Sequence, residues 1–341
     1  MDQIRLREHL AEQGPWTPPA LPESIPHGDM PGDKIRIGED HIRKAQLLFP
    51  KLLEALKELE GGKAVVSVFG GSGVGKSEIA SLLGWYLQSI GVGSYVISGD
   101  NYPRRIPLYN DAERLSIFRV GGLRGLLAAG QYSRGAQKEL DALWPDGLDA
   151  EPKEAVDRPW LQTYQAAGRK ALSEYLGTEK EQDYEELNAI LAAFRRGESP
   201  VWLKRMGRTE EERWYDPVDF RETQVLILEW THGGNPALRG IDVPIFLNST
   251  PEETREHRRL RARDGKTDSA FTTMVLEIEQ EELRRAAPSA RFILSKSGQF
   301  LRPEEICQQL QQFLIVFNYE NVHVSPFMAE IPVLQTQQSR E

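Results

Sequence analysis

The apolar positions of this chain fall into short runs separated by longer amphipathic stretches. Ala64-Val-Val-Ser-Val-Phe69 and Tyr95-Val-Ile97 are nearly continuous apolar runs, the pattern of strands buried on both faces. Gln224–Glu229, Val243–Leu247 and Arg291–Leu294 extend the series. Between these runs apolar residues recur at helical spacing. Short buried strands alternating with helices predict an α/β three-layer sandwich around a mainly parallel sheet. Residues 14–38 carry Pro15, Pro18, Pro19, Pro22, Pro26 and Pro31 and read as an extended connector. Ile42–Leu59 has a helical period broken at Pro50, which predicts a second helix starting there, with Gly61-Gly62 as its end.

Residues 104–182 interrupt the strand–helix rhythm. Asp111–Arg119, Leu123–Ala129 and Trp160–Leu176 are helix-like there, which predicts a helical insertion beside the site. The expected division is an N-terminal arm (1–62), a core (63–103 and 183–317), the insertion (104–182) and a C-terminal tail (318–341). The tail alternates apolar and polar residues around Val322, offering an edge for pairing within the chain or with a second subunit, as in a homodimer.

Charge and composition narrow the function. The 341 residues are 40% hydrophobic and 27% charged, as in globular proteins, with a net charge of −9. That acidity argues against a nucleic-acid or anionic-membrane surface over the whole chain. The single cysteine, Cys307, excludes an internal disulfide framework. It lies in a helical pattern and reads as a small buried hydrophobe. With no apolar run of membrane-spanning length and no signal-like N-terminus, the expected location is the cytoplasm.

The chemistry starts where the first run ends. Gly70-Gly71-Ser72-Gly73-Val74-Gly75-Lys76-Ser77 matches the phosphate-binding P-loop, also called Walker A. Glycines let the backbone close on a polyphosphate, and successive N–H groups at a helix start point at the anion. Lys76 is expected at the β- and γ-phosphates and the Ser77 hydroxyl on Mg²⁺, with ATP as donor. Asp100 follows the second run, where it can accept the proton of an attacking hydroxyl or merely cap a turn. Glu229 ends a third run, where a carboxylate orients Mg²⁺ or serves structure alone.

Downstream, Thr250-Pro-Glu-Glu253 reads as a capping box opening a helix that Gly265 stops. Along this 250–265 segment Arg255, Arg259 and Arg263 recur every four residues and share a stripe. Such a stripe is either a solvated face or a lid that closes on phosphates; His257 beside it reads as a surface residue. Tyr102-Pro-Arg104-Arg105 and Lys204-Arg205-Met-Gly-Arg208 supply cations for the acceptor side. Tyr102, Lys204, Arg104, Arg105 and Arg208 are therefore the candidate substrate-binding residues, though loop charge explains the same pattern. Tyr102, Trp202 and Trp230 could stack on a base or belong to the core.

In this order the P-loop, strand-Asp100, strand-Glu229 and arginine-bearing helix resemble the phosphoribulokinase/uridine kinase family of P-loop kinases. Asp183-Tyr-Glu-Glu186, which opens a helix reaching Gly197, resembles a further helix of that family. The resemblance covers roughly 60–102 and 183–300. It implies a P-loop kinase fold of about five parallel strands, ATP with Mg²⁺, and γ-phosphoryl transfer to a small-molecule hydroxyl. It also places Asp100 as the catalytic aspartate and Arg259 and Arg263 as lid arginines. Asn101-Tyr102-Pro103 and Trp230-Thr-His-Gly233 depart from the family pattern, and the insertion has no counterpart. All three lie on the acceptor side, leaving open a sugar, sugar phosphate, hydroxy acid, adenylylsulfate or nucleoside. A P-loop protein that hydrolyses its nucleotide to drive a switch, with no acceptor, is the alternative.

Overall fold

In the computed structural model, residues 6–12, 14–25, 27–32, 35–256 and 269–306 are described. The centre is a six-stranded sheet in the order β2-β5-β1-β6-β7-β8. Its strands are β1 (Ala64–Gly70), β2 (Ser94–Ser98), β5 (Val225–Trp230), β6 (Val243–Leu247), β7 (Phe292–Leu294) and β8 (Phe300–Leu301). The first five are parallel, and β8 pairs antiparallel with β7 at one edge. Every residue of β1 and β5 is buried. That burial on both faces is why their sequences show no alternation.

One face is covered by α2 (Glu39–Lys57) and α3 (Lys76–Ser89), with α1 (Leu6–Ala11) packed against them. Leu48, Phe49, Leu52, Leu53 and Leu56 of α2 are buried in this layer. Here the structure departs from the expected break: α2 runs unbroken with Pro50 inside it. The apolar residues on both sides of Pro50 are locked into one core, and that packing outweighs the backbone bond the proline removes.

The other face carries α7 (Tyr184–Arg195) and a two-stranded antiparallel ribbon, β3 (Val201–Met206) with β4 (Arg213–Val218). Residues 104–182 hold α4 (Pro107–Ala128), α5 (Arg134–Leu143) and α6 (Pro159–Ser173). The two helices expected at Asp111–Arg119 and Leu123–Ala129 are thus one. α4 and α6 meet through small residues: a Cβ on Gly125 would lie 2.2 Å from that of Ala167, and one on Gly121 2.4 Å from that of Ala171. Only glycine permits this approach. α8 (Ala270–Ala286) packs its Met274, Val275 and Ile278 into the same cluster. It reaches the P-loop at its middle, where a Cβ on Gly71 would come 3.3 Å from Gln280 Oε1.

Candidate active site

Strand register gathers the expected residues at the carboxyl end of the sheet. Glu229 lies opposite Val68 on one side and Ser98 on the other. Immediately beyond Val68, β1 turns into the P-loop. Gly70, Gly73 and Gly75 there adopt φ of 155°, 77° and 100°. A Cβ at Gly70 would also meet the Leu247 carbonyl at 2.5 Å. Left-handed torsions and a touching backbone together demand glycine at that position.

The loop hands directly to α3, whose first residue is Lys76. The Lys76 ammonium donates to the Gly71 carbonyl at 3.2 Å, folding back over the loop it serves. Ser77 donates its hydroxyl to Glu229 Oε2 at 3.1 Å, and Ser98 donates to Glu229 Oε1 at 2.6 Å. The Ser98 hydroxyl in turn accepts from the Asp100 N–H at 3.1 Å. A continuous chain of bonds therefore joins the P-loop serine, the strand-end carboxylate and the turn that carries exposed Asp100.

Burial, followed by the neighbouring Asp100 charge, raises the Glu229 carboxyl well above its ordinary range against the pull of Lys76. A buried carboxylate bonded to the P-loop hydroxyl suits a divalent cation, whose charge would offset the desolvation. Mg²⁺ holds few protein ligands besides phosphate and water. Among the described residues no group of three or more His, Cys, Asp or Glu residues is arranged to hold a metal ion.

A residue the sequence reading missed organises the turn from below. Asp29, in the proline-rich connector, accepts at Oδ1 from Ser98 N–H (2.8 Å) and Asn101 Nδ2 (3.0 Å). At Oδ2 it accepts from Arg205 (2.8 Å) and the Tyr95 hydroxyl (3.2 Å). Burial raises its carboxyl even so, outweighing the Arg205 charge. Asn101 also accepts from the Met206 N–H at 3.0 Å, tying the Asp100 turn to β3.

Among the expected acceptor-side cations, Arg104, Arg105 and Lys204 are each engaged by an acid. Lys204 pairs with Glu186 at 2.9 Å and lies over the ring of Tyr102. Arg104 pairs with Asp183 at 3.4 Å and donates to the Glu179 carbonyl at 2.6 Å. It also lines a cavity of about 620 Å³ between α7 and the loop at 236–240, away from the P-loop. Arg105 meets Glu113 at 3.7 Å and the Tyr175 hydroxyl at 3.1 Å. Arg208 is exposed in the turn between β3 and β4. Tyr102 and Trp230 are buried at 0% and 2% exposure, which makes them core rather than a stacking surface.

Thr250 and Glu253 exchange the expected capping bonds, at 2.7 and 3.2 Å. Arg255 pairs with Glu252 at 2.9 Å. Arg259, Arg263, His257, Gly265, Cys307 and the tail lie outside the described residues. No helix among those residues is long and apolar enough to cross a membrane.

A glycine-rich loop between the central strand and its helix, flanked by carboxylates at adjacent strand ends, decides the architecture. The chain has a P-loop kinase fold. No family model matches it. A bifunctional α-galactosidase/sucrose kinase from Mediterraneibacter gnavus is 35% identical over 257 residues, which is 75% of this chain and 23% of that protein. The chain therefore spans about a quarter of the length of the curated relative it matches. Among solved structures, D-glycerate 3-kinase from Cryptococcus neoformans aligns with a TM-score of 0.42 and 14% identity, over 78% of this chain and 98% of that one. A protein described as a fructose transport system kinase, from Silicibacter sp. TM1040, gives 0.41 and 18%, over 73% and 95%. The name of the Mediterraneibacter gnavus relative includes a small-molecule kinase activity, in keeping with the resemblance found in the sequence.

Proposed function

We propose that this P-loop kinase transfers the γ-phosphoryl group of ATP to a hydroxyl of a small metabolite, with a sugar as acceptor. The observation that carries the reading is the bonded chain from Ser77 through Glu229 and Ser98 to the Asp100 N–H, which supports Asp100 as a proton acceptor near the phosphate cradle. A nucleotide switch needs the cradle but not Asp100. Of the two activities in the name of the Mediterraneibacter gnavus relative, the P-loop suits the kinase, and sucrose there points to a carbohydrate acceptor here.

In this mechanism the P-loop N–H groups and Lys76 hold the β- and γ-phosphates. Ser77 and Glu229 would hold and orient Mg²⁺, which would supply charge neutralisation on the phosphates. Asp100 accepts the acceptor's proton as its oxygen bonds to the γ-phosphorus. The bond from that phosphorus to the β–γ bridging oxygen breaks, and ADP leaves with the electron pair. Arg259 and Arg263 are proposed to close over the migrating group, with Arg255 near the nucleotide.

The helices of 104–182 are proposed as the acceptor-side subdomain. The protein is proposed to act in the cytoplasm without nucleic-acid or membrane partners, and a homodimer through the tail is the oligomer to test. Incubation with ATP, Mg²⁺ and a panel of sugars, followed by mass spectrometry, tests the central reading. A sugar gaining one phosphate is expected. ATP turnover without any phosphorylated product would favour the switch reading instead.

A further inference from the structure

A second polar cluster faces the reacting groups from the insertion and α8. Arg114 of α4 is its centre, pairing with Glu181 at 2.6 Å and Glu279 at 3.5 Å. Glu181 is fully buried; it also accepts from Asn110 Nδ2 at 3.1 Å and from the Gly177 N–H at 2.7 Å. Gly177, at φ +64°, is where the other members converge. A Cβ there would lie 2.6 Å from Glu282 Oε2 and 3.0 Å from His232 Nδ1.

Arg114 and Glu181 satisfy one another, but the rest of the cluster is under-used. His232 is 9% exposed and its ring stands edge-on to Trp230 at 5.2 Å, and among the described residues its ring nitrogens make no hydrogen bond. Glu282 has no ion pair or hydrogen bond among those residues, and Glu279 has only the long contact to Arg114. These groups therefore keep donor and acceptor capacity that a ligand's hydroxyls can use. Glu279 lines a small cavity together with Gly71 and Ser72 of the P-loop, which puts the cluster against the phosphate site.

We propose that the acceptor is an uncharged polyol whose hydroxyl groups are held by Glu279, Glu282 and His232, on a floor built by Arg114 and Glu181. The inference rests on the kinase reading above and names its acceptor class. Arg114 holds Glu181 and Glu279, while Glu282 and His232 meet at Gly177. Burial raises the Glu279 and Glu282 carboxyls, so this region already disfavours negative charge, and a sugar phosphate or hydroxy acid would bring a further anion into it. A polyol instead exchanges hydrogen bonds with these carboxyl groups, its hydroxyls serving as donors or acceptors. Burial holds the His232 imidazole neutral, lowering it to about 4, so one ring nitrogen accepts while the other donates. The cations that would receive an anionic acceptor, Arg104, Arg105 and Lys204, are already paired with acids.

The test measures kcat and KM on the full chain with ATP and Mg²⁺, for neutral sugars and polyols, hexose phosphates and hydroxy acids. Neutral compounds are expected to be the substrates. Glu282→Gln and His232→Asn are expected to raise the acceptor KM about 10- to 100-fold, the loss of a hydrogen bond to a charged or buried group, with the ATP KM unchanged. Glu279→Gln should also narrow the discrimination against hexose phosphates, an outcome that loss of structure alone does not produce. Preference for an anionic acceptor, or acceptor KM values within twofold of wild type in all three variants, overturns the inference and leaves the kinase reading standing. ATP hydrolysis with no phosphorylated product from any class overturns the kinase reading, and this inference with it.

Discussion

Removing the Asp29 carboxylate tests how the reactive turn is held. Asp29→Ala deletes the acceptor of four bonds and leaves Arg205, whose side chain is 8% exposed, without its close partner. The remaining carboxylate near it, on Asp216, is 3.3 Å from Nε and half-exposed. Stranding one member of a buried pair costs about 3–5 kcal/mol. For a chain of 341 residues, an unfolding entropy near 2.1 cal/mol/K per residue sums to about 0.7 kcal/mol/K, so Tm should fall by roughly 4–7 °C. Differential scanning calorimetry reads this directly. The same change frees Ser98 N–H and Asn101, so kcat should fall more than the ATP affinity changes. Asp29→Ala/Arg205→Met, which removes both charges, should recover part of the lost stability. A Tm within about 1 °C of wild type for Asp29→Ala, on that same scale, would refute the reasoning.

Three further outcomes follow from the site. Lys76→Ala should abolish phosphoryl transfer in a coupled ADP-release assay; retained turnover would contradict the phosphate-cradle role. Asp100→Asn should keep ATP binding by calorimetry while transfer drops about 10²–10⁴-fold, the contribution of a general base, and unchanged turnover would remove Asp100 from the mechanism. Burial raises the Glu279 carboxyl to about 7 against the pull of Arg114, with Glu181 and Asp100 adding to the rise and Lys76 opposing it. A raised folded-state value means stability present at low pH and lost as pH climbs through about 7. Glu279→Gln removes that loss, so its stability relative to wild type should improve between pH 5 and 8 in urea titrations. A difference that stays flat with pH would contradict the burial of this carboxyl.

The sheet was legible because its strands are buried on both faces and therefore read as unbroken apolar runs. The P-loop was legible because its torsions and close contacts exclude other residues over a short span. The β3–β4 ribbon was not, since Trp202, Trp214 and Tyr215 are exposed and Pro217 sits inside β4, so neither strand alternates. Pro50 misled the helix reading because local propensity cannot register the core contacts on both sides of it. Asp29 looked like connector because its partners stand 66 to 176 residues away. Glu279 and Glu282 share α8 with many charged residues, and only the fold turns them toward Arg114 and Gly177. The ion pairs of the expected acceptor-side cations were illegible for a related reason: their acids, Glu186, Asp183 and Glu113, are invisible as partners until the chain is folded.

The central claim is phosphoryl transfer from ATP to a hydroxyl through Asp100. It is tested most directly by incubating the protein with ATP labelled at the γ-phosphorus, Mg²⁺ and neutral sugars, for wild type and Asp100→Asn. The account predicts label in a sugar phosphate ester with wild type and its near-complete loss in the variant. Label released only as inorganic phosphate, at equal rates in both proteins, would contradict it.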